Sequence, residues 1–418
     1  MATADTTDAA EKAPRSAMPR GFWPIWTTVL IDLIGFGIAL PVLGIYAKDK
    51  FGASGLMVGL LMAAYSAAQF VAAPQLGKLS DRFGRKPVLV VALLGTAFAA
   101  LMTGLATSLW LLVFWRFVDG ITGGTYGVAT AAIADIAPPH RRSALIGMLG
   151  AAFGIGFTIG PAIGALMSHF GGARAPFFLL AAMSLVNAVV MYTRVPETRH
   201  LAAKQATEMR ADGTDAGLAT TWRDAGLPLL FGAGFLTSLA FSAFESHFSS
   251  FGRDNLGLTQ SNAGWALAVV GIVSSIVQGG LIGRVTRRFG EVTPAVWGTF
   301  VTAIGLALFG ASSRWSLLIP ALFIVAAGTG FSNPALAAET ANRINPETRG
   351  KVLGVQQSWT AGARVVGPLL GGIAFDQITH RSPFYLGAAL FLAAAALIAR
   401  SAHHGARSTA TVGALPIR

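Results

Sequence analysis

Twelve long apolar runs, separated by short polar breaks, make up most of the chain. They cover about 22–47, 55–77, 88–107, 109–137, 143–169, 176–195, 226–252, 260–283, 292–312, 314–342, 350–376 and 382–400. A helix needs roughly 20 mostly apolar residues to cross the hydrocarbon core of a bilayer. The pattern therefore predicts an all-α membrane protein of twelve transmembrane helices, with the longer runs tilted or extending beyond the lipid. One long polar stretch, Pro196 to Ala225, carries both charge signs and divides the spans six and six. It predicts two six-helix bundles, 22–195 and 226–400, joined by a linker over 196–225. The polar segments 1–21 and 401–418 are the two tails.

The halves repeat each other at a nearly constant offset. Gly77-Lys-Leu-Ser-Asp-Arg-Phe-Gly84 matches Gly283-Arg-Val-Thr-Arg-Arg-Phe-Gly290, 206 residues on. Arg142-Ser-Ala-Leu-Ile-Gly147 matches Arg349-Gly-Lys-Val-Leu-Gly354, and Gly160-Pro161 with Gly164 matches Gly367-Pro368 with Gly371, both at 207. Three matches in one order predict two pseudo-symmetric bundles. Parallel repeats of this kind place a ligand site between the halves near the midplane and give alternating access by rocking.

Charge placement orients the chain. Of the 31 Lys and Arg residues, 23 fall on the side of the two tails. Six lie on the other side (Lys48, Lys50, Arg174, Arg253, Arg314 and Arg381), while Arg116 and Arg364 lie within spans. By the positive-inside rule this predicts both termini in the cytoplasm and a multi-pass protein of the cell (inner) membrane. The same asymmetry accounts for the formal charge of +12 without a nucleic-acid partner. Charged residues make up 12% of the chain, half the usual share of a soluble domain. Fifty glycines suit closely packed membrane helices, and Gly150, Gly154, Gly156, Gly160 and Gly164 place overlapping GxxxG spacing around Pro161 in span five. The absence of cysteine excludes disulfides and thiolate chemistry. No P-loop, zinc-ligand cluster or hydrolytic triad stands out, so no cofactor, no metal and no enzymatic reaction are expected.

Ionisable residues inside spans are functional candidates, because each costs at least about 2.5 kcal/mol to bury in lipid. Asp32 lies ten residues into span one, about 15 Å deep, near the midplane. It is the leading candidate to exchange a proton, against a structural acid satisfied by a neighbouring helix. Arg116 and Asp119 are three apart in span four and share a face; the arginine either holds Asp119 or Asp32 ionised, or locks spans together. Glu245 in span seven is open between a site for a cation or second proton and a structural acid. His247 reads as structural, Arg364 in span eleven is buried, and Glu339 near the end of span ten is open between a gating pair and a solvated side chain. Phe36, Phe241, Phe244 and Phe248 are candidates to line a cavity for amphiphiles.

Four segments together resemble the major facilitator superfamily. Gly77-Lys-Leu-Ser-Asp-Arg-Phe-Gly-Arg-Lys-Pro87 is similar to its signature loop between spans two and three. Phe114-Trp-Arg-Phe-Val-Asp-Gly120 resembles its span-four motif with a buried arginine. Gly156-Phe-Thr-Ile-Gly-Pro-Ala-Ile-Gly164 resembles the span-five motif of its antiporters, and Leu30-Ile-Asp-Leu-Ile-Gly-Phe-Gly-Ile-Ala-Leu-Pro41 the start of its twelve-span drug:proton antiporters, tetracycline exporters among them. The second-half copy of the loop has Arg287 where the first has Asp81, and spans three and nine lack the acids that tetracycline exporters carry there.

The resemblance implies that Gly77, Asp81, Arg82, Gly84 and Arg85 form a gating loop. Asp81 then docks near Gly350 at the start of span eleven, and Arg85 pairs with Asp135. It also implies that the face of Gly156, Gly160, Pro161 and Gly164 seals against proton leak. The expected function is secondary transport of a small-molecule substrate, with proton-coupled efflux of hydrophobic or cationic drugs by a monomer in the lipid bilayer. The alternative is a uniporter or symporter for an endogenous metabolite or sugar.

Overall fold

A computed structural model describes residues 18–19, 21–138, 141–198, 226–344 and 349–412. Twelve helical spans follow in order. The first half has span one Phe22–Phe51, span two Gly55–Phe83, span three Arg85–Leu105, span four Leu109–Thr122 continued by Thr125–Ile136, span five Arg142–Gly171 and span six Ala175–Arg194. The second half has span seven Leu227–Leu256, span eight Gln260–Ile276 continued through a π-turn into Ile282–Phe289, span nine Val292–Ala311, span ten Trp315–Asn342, span eleven Arg349–Gln377 and span twelve Ser382–Val412. Ten are single helices long and apolar enough to cross a membrane; the other two are the divided span four and the more polar span eleven. The linker expected over 196–225 lies, from 199 on, outside the described residues.

The repeat is visible in the backbone. Spans one and seven both end on a glycine in the left-handed region, Gly52 (φ 65°) and Gly257 (φ 64°), which a side chain would strain. Two residues later each half places a hydroxyl that caps the next helix: Ser54 accepts from the Met57 amide at 3.3 Å and Thr259 from the Asn262 amide at 3.2 Å. The segment expected as a loop after span two differs from its sequence reading. Gly77 to Phe83 continues the helix, the Gly84 amide still bonding back to Ser80 at 3.0 Å, so only Gly84 breaks the chain. A helix extending beyond the lipid keeps its backbone bonds while its side chains turn polar.

Glycines set the helix crossings. One face of span five packs on span one, where a methyl on Gly160 would lie 2.7 Å from the Ile34 carbonyl and one on Gly156 2.6 Å from Leu33. Its other face packs on span eight of the second half, where a methyl on Gly264 would lie 2.7 Å from both the Pro161 carbonyl and Ala165. Span eleven repeats the arrangement. Gly371 abuts His247 of span seven, while Gly372 lies against Gly55 and Leu56 of span two.

We call the side where span one begins the near face and the side where it ends the far face. The largest apolar core joins both halves towards the far face, from Leu40, Val42 and Leu61 to Phe244, Phe309 and Phe384. Towards the near face the core splits in two. One cluster around Phe22, Leu93, Leu149 and Met191 belongs to the first half, and one around Leu230, Ala295 and Ile398 to the second. Among the described residues, every ion pair between the halves lies at the far face: Lys48 with Asp254 at 2.5 Å and Arg253 with Asp49 at 3.0 Å. Among the described residues the halves share one core and two ion pairs on the far side and have separate cores on the near side.

Candidate functional site

Where the two bundles part, a cavity of about 440 Å³ opens between them. Phe36, Phe157 and Thr158 line it from the first half, and Phe241, Glu245, Asn333, Arg364 and Phe391 from the second. Its wall is mainly aromatic and hydroxyl-bearing, with one acid and one base. Glu245 is only 8% exposed, and its Oε1 has no hydrogen-bond partner. A buried carboxylate oxygen without a donor is costly. Of the four candidate phenylalanines, Phe36 and Phe241 line the cavity. Phe244 and Phe248 instead pack with Phe309, at 5.3 and 5.5 Å between ring centres, inside the far-side core.

A second, smaller cavity of about 70 Å³ lies within reach of Asp32, Tyr65, Gln69 and Thr125. The Thr125 hydroxyl donates to Asp32 Oδ2, and Asp32 Oδ1 has no partner. Arg116, 3% exposed, places Nη1 2.6 Å from Asp119 Oδ2 and its guanidinium 4.4 Å from the centre of the Tyr65 ring. Of the two acids that sequence left open to Arg116, the structure pairs it with Asp119. A buried charge needs such a partner, and the aromatic face adds a cation–π contact. Phe36 and Arg364 stand on the wall of both cavities. Arg364, read from sequence as buried, is instead exposed, and by lining both cavities it joins the site of Glu245 to that of Asp32.

The near-face motif forms a charged cluster inside the first half. Arg85 reaches Asp81 at 2.5 Å, Asp135 at 3.3 Å and the Ser80 hydroxyl at 2.5 Å. The Asp81 side chain is 67% exposed, and Arg82 and Gly84 sit beside it on the end of span two. The side chains around residue 350 lie outside those described. Glu339 pairs with Arg343, one turn on, at 2.5 Å. His247 is fully buried, its Nε2 3.0 Å from the Gly55 carbonyl and its Nδ1 beside Ser246 and Ala243 of its own helix.

Several residues were not singled out by sequence. Glu197 accepts the backbone amides of Arg85 at 2.9 Å and Lys86 at 3.2 Å, closing the first turn of span three. Thr125 and Gln69 are polar residues in apolar runs whose partners lie on other spans. Lys48-Asp49 and Arg253-Asp254 do carry a signal: they stand 205 residues apart, within two residues of the repeat offsets of 206 and 207.

Comparison with known proteins agrees with this architecture. Residues 25–291 and 254–414 match the Major Facilitator Superfamily. The class B tetracycline resistance protein of Escherichia coli is 30% identical over 86% of this chain and 88% of its own. The quinolone resistance protein NorA of Staphylococcus aureus is 26% identical over 93% and 98%. The crystal structure of the human organic anion transporter MFSD10 superposes with a TM-score of 0.66 at 24% identity, over 91% of this chain and 99% of that one. With its two six-helix halves, its repeat-related crossings and a match along nearly its whole length, the chain belongs to the major facilitator superfamily.

Proposed function

We propose that the protein exports hydrophobic or cationic drugs in exchange for protons, by alternating access. The observation that carries this reading is the shared wall of the two cavities: a ligand filling the larger one meets the same Arg364 and Phe36 that face the pocket of Asp32. Tetracycline and quinolone resistance, which name two of the relatives, supply the substrate class. The near face is assigned to the cytoplasm of a bacterial inner membrane, since it carries 23 of the 31 Lys and Arg residues. The parted state is then inward-facing, the segment 196–225 is a cytoplasmic linker, and one chain suffices for transport.

In this cycle a drug enters from the near side and settles among Phe36, Phe157 and Phe241, its cationic part against Glu245. Its arrival displaces Arg364 towards the pocket of Asp32, and the added positive charge releases the proton of Asp32 to the cytoplasm. The loaded protein closes at the near face and opens at the far face. There the drug leaves and Asp32 takes a proton from outside. Closure at the near face brings the exposed Asp81 towards the first turn of span eleven, whose dipole favours an acid.

The test is proton movement in reconstituted vesicles with a pH-sensitive dye inside, using the lipophilic cation ethidium and a neutral drug of similar size. Drug-driven pH change that disappears in Asp32→Asn is the expected result. A flat response from folded protein would turn the reading towards a metabolite uniporter.

A further inference from the structure

Span four stops at Thr122 and restarts at Thr125, through Gly123-Gly124. Such an interruption inside a bundle frees backbone groups that need partners. One is supplied from span two: Gln69 Nε2 donates to the Gly123 carbonyl at 2.8 Å and lies 3.3 Å from the Tyr65 hydroxyl. The other consequence concerns Thr125. Several buried threonines elsewhere in the spans spend their hydroxyl on the carbonyl one turn back in their own helix, as Thr103 does on Ala99, Thr299 on Ala295, Thr302 on Gly298 and Thr340 on Leu336, while Thr96 pairs with the Thr122 hydroxyl at 3.1 Å. Thr125 opens a new helix, and its hydroxyl goes to Asp32 on span one instead. Only one carboxyl oxygen is held. The other, Oδ1, is buried and without a partner, on a residue that lines the small cavity.

We propose that the break in span four makes Thr125 the positioning residue for proton exchange at Asp32, with Gln69 holding the break open. This rests on the reading of Asp32 as the coupling acid. A hydroxyl donating to Oδ2 serves both protonation states, since Oδ2 accepts as a carboxylate oxygen and again as the carbonyl oxygen of the neutral acid. It fixes the plane of the carboxyl group and leaves Oδ1 as the atom that titrates. In the exchange, a hydronium ion in the aqueous cavity gives its proton to Oδ1, leaving water and a neutral carboxyl group. Release is the reverse, with a water molecule taking the proton from Oδ1. Without the hydroxyl the group is free to turn its titrating oxygen away from the cavity.

The experiment compares Thr125→Val, Thr125→Ser and Asp32→Asn in vesicles, reading ethidium-driven proton flux, with ethidium affinity measured separately by fluorescence. Thr125→Val is expected to lose proton flux at least about tenfold, as removal of a hydrogen bond to a charged group does. Its ethidium affinity stays within about twofold of the parent, and Thr125→Ser restores the flux. Gln69→Leu, which leaves Asp32 and Thr125 in place, is expected to fall between the two and serves if the valine variant does not fold. Wild-type flux in Thr125→Val, with Asp32→Asn inactive, overturns the role of Thr125 and leaves that of Asp32 intact. Coupled flux surviving in Asp32→Asn overturns both. Equal losses of flux and affinity that serine fails to restore reduce Thr125 to a packing residue.

Discussion

The carboxylate of Asp376, at the far end of span eleven, accepts the backbone amide of Gly55, the first residue of span two, at 2.8 Å. Its second oxygen accepts the amide of Leu56, also at 2.8 Å. The first amides of a helix have no partner within it, and the helix dipole favours a negative charge there. An acid of one half thus caps a helix of the other. The arrangement inverts the one the family resemblance implies at the near face, where Asp81 at the end of span two would meet the start of span eleven. Charge at this contact weights the far-closed state, because opening must separate Asp376 from both amides.

Asp376→Asn keeps the shape but loses the charge and one acceptor. The expected cost to the far-closed state is about 1.5 kcal/mol, roughly a tenfold shift in the equilibrium. The chain contains no cysteine, so Thr237→Cys on the cavity wall gives a clean probe. Its labelling by an impermeant maleimide from the far side should rise about tenfold when Asp376→Asn is added. An unchanged rate would mean that the cap does not govern opening.

The two ion pairs beside this cap are related by the repeat: Lys48-Asp49 of the first half crosses with Arg253-Asp254 of the second. Lys48 also lies 5.0 Å from the centre of the Phe375 ring, and its pair is the more sheltered, at 18% and 25% exposure against 43% and 45%. Exposed pairs contribute about 0–1 kcal/mol. Arg253→Gln should therefore leave far-side labelling nearly unchanged, while Lys48→Asp, which sets three acids together, should raise it several-fold. Combining Lys48→Asp with Asp254→Lys should bring it back. Failure of that exchange would assign the effect of Lys48 to its ring contact instead.

These relationships separate what the sequence carries from what it does not. The repeat that pairs Gly160-Pro161 with Gly367-Pro368 also pairs the crossed charges and the left-handed glycines, at an offset two residues shorter, because both halves obey the same local rules at their helix ends. The break at Gly123-Gly124 was not legible. Glycine pairs are ordinary in membrane helices, and only Gln69 and Thr125, on and beside other spans, show that the helix is interrupted. Nor could spacing sort the phenylalanines of span seven. Phe241 meets the cavity and Phe244 the core although both face the bundle, since apolar periodicity marks an inward face and not what fills the interior at each depth.

Gly264 tests the crossing between the halves. A side chain there collides with Pro161 and Ala165, whereas nothing lies within 4 Å of a methyl placed on Gly279. Gly264→Val should cost about 1–3 kcal/mol in the far-closed state, read as faster far-side labelling and slower transport. Gly279→Ala should be silent in both assays. Equal behaviour of the two would show that this crossing is not a moving contact.

Glu197 closes span three by accepting two amides that its own first turn cannot satisfy. Glu197→Ala should cost about 1 kcal/mol, as the loss of a cap does. It should lower the thermal midpoint of the purified protein without changing ethidium affinity, because the residue lines neither cavity.

Glu245 decides whether the large cavity recognises charge. Its carboxylate is buried with one oxygen unsatisfied, and Arg364 stands on the wall of the same cavity. An incoming cation supplies the missing partner, so its affinity includes a charge-assisted bond that a neutral drug lacks. Glu245→Gln preserves the volume and removes the charge. Equilibrium binding should then weaken for ethidium by about tenfold or more, while a neutral drug of similar size binds within about twofold of the parent. The ratio of the two affinities is the quantity to measure, since any general loosening of the bundle weakens both ligands alike and leaves it unchanged. A ratio equal to that of the parent would return Glu245 to the structural acids and leave the aromatic wall as the basis of recognition.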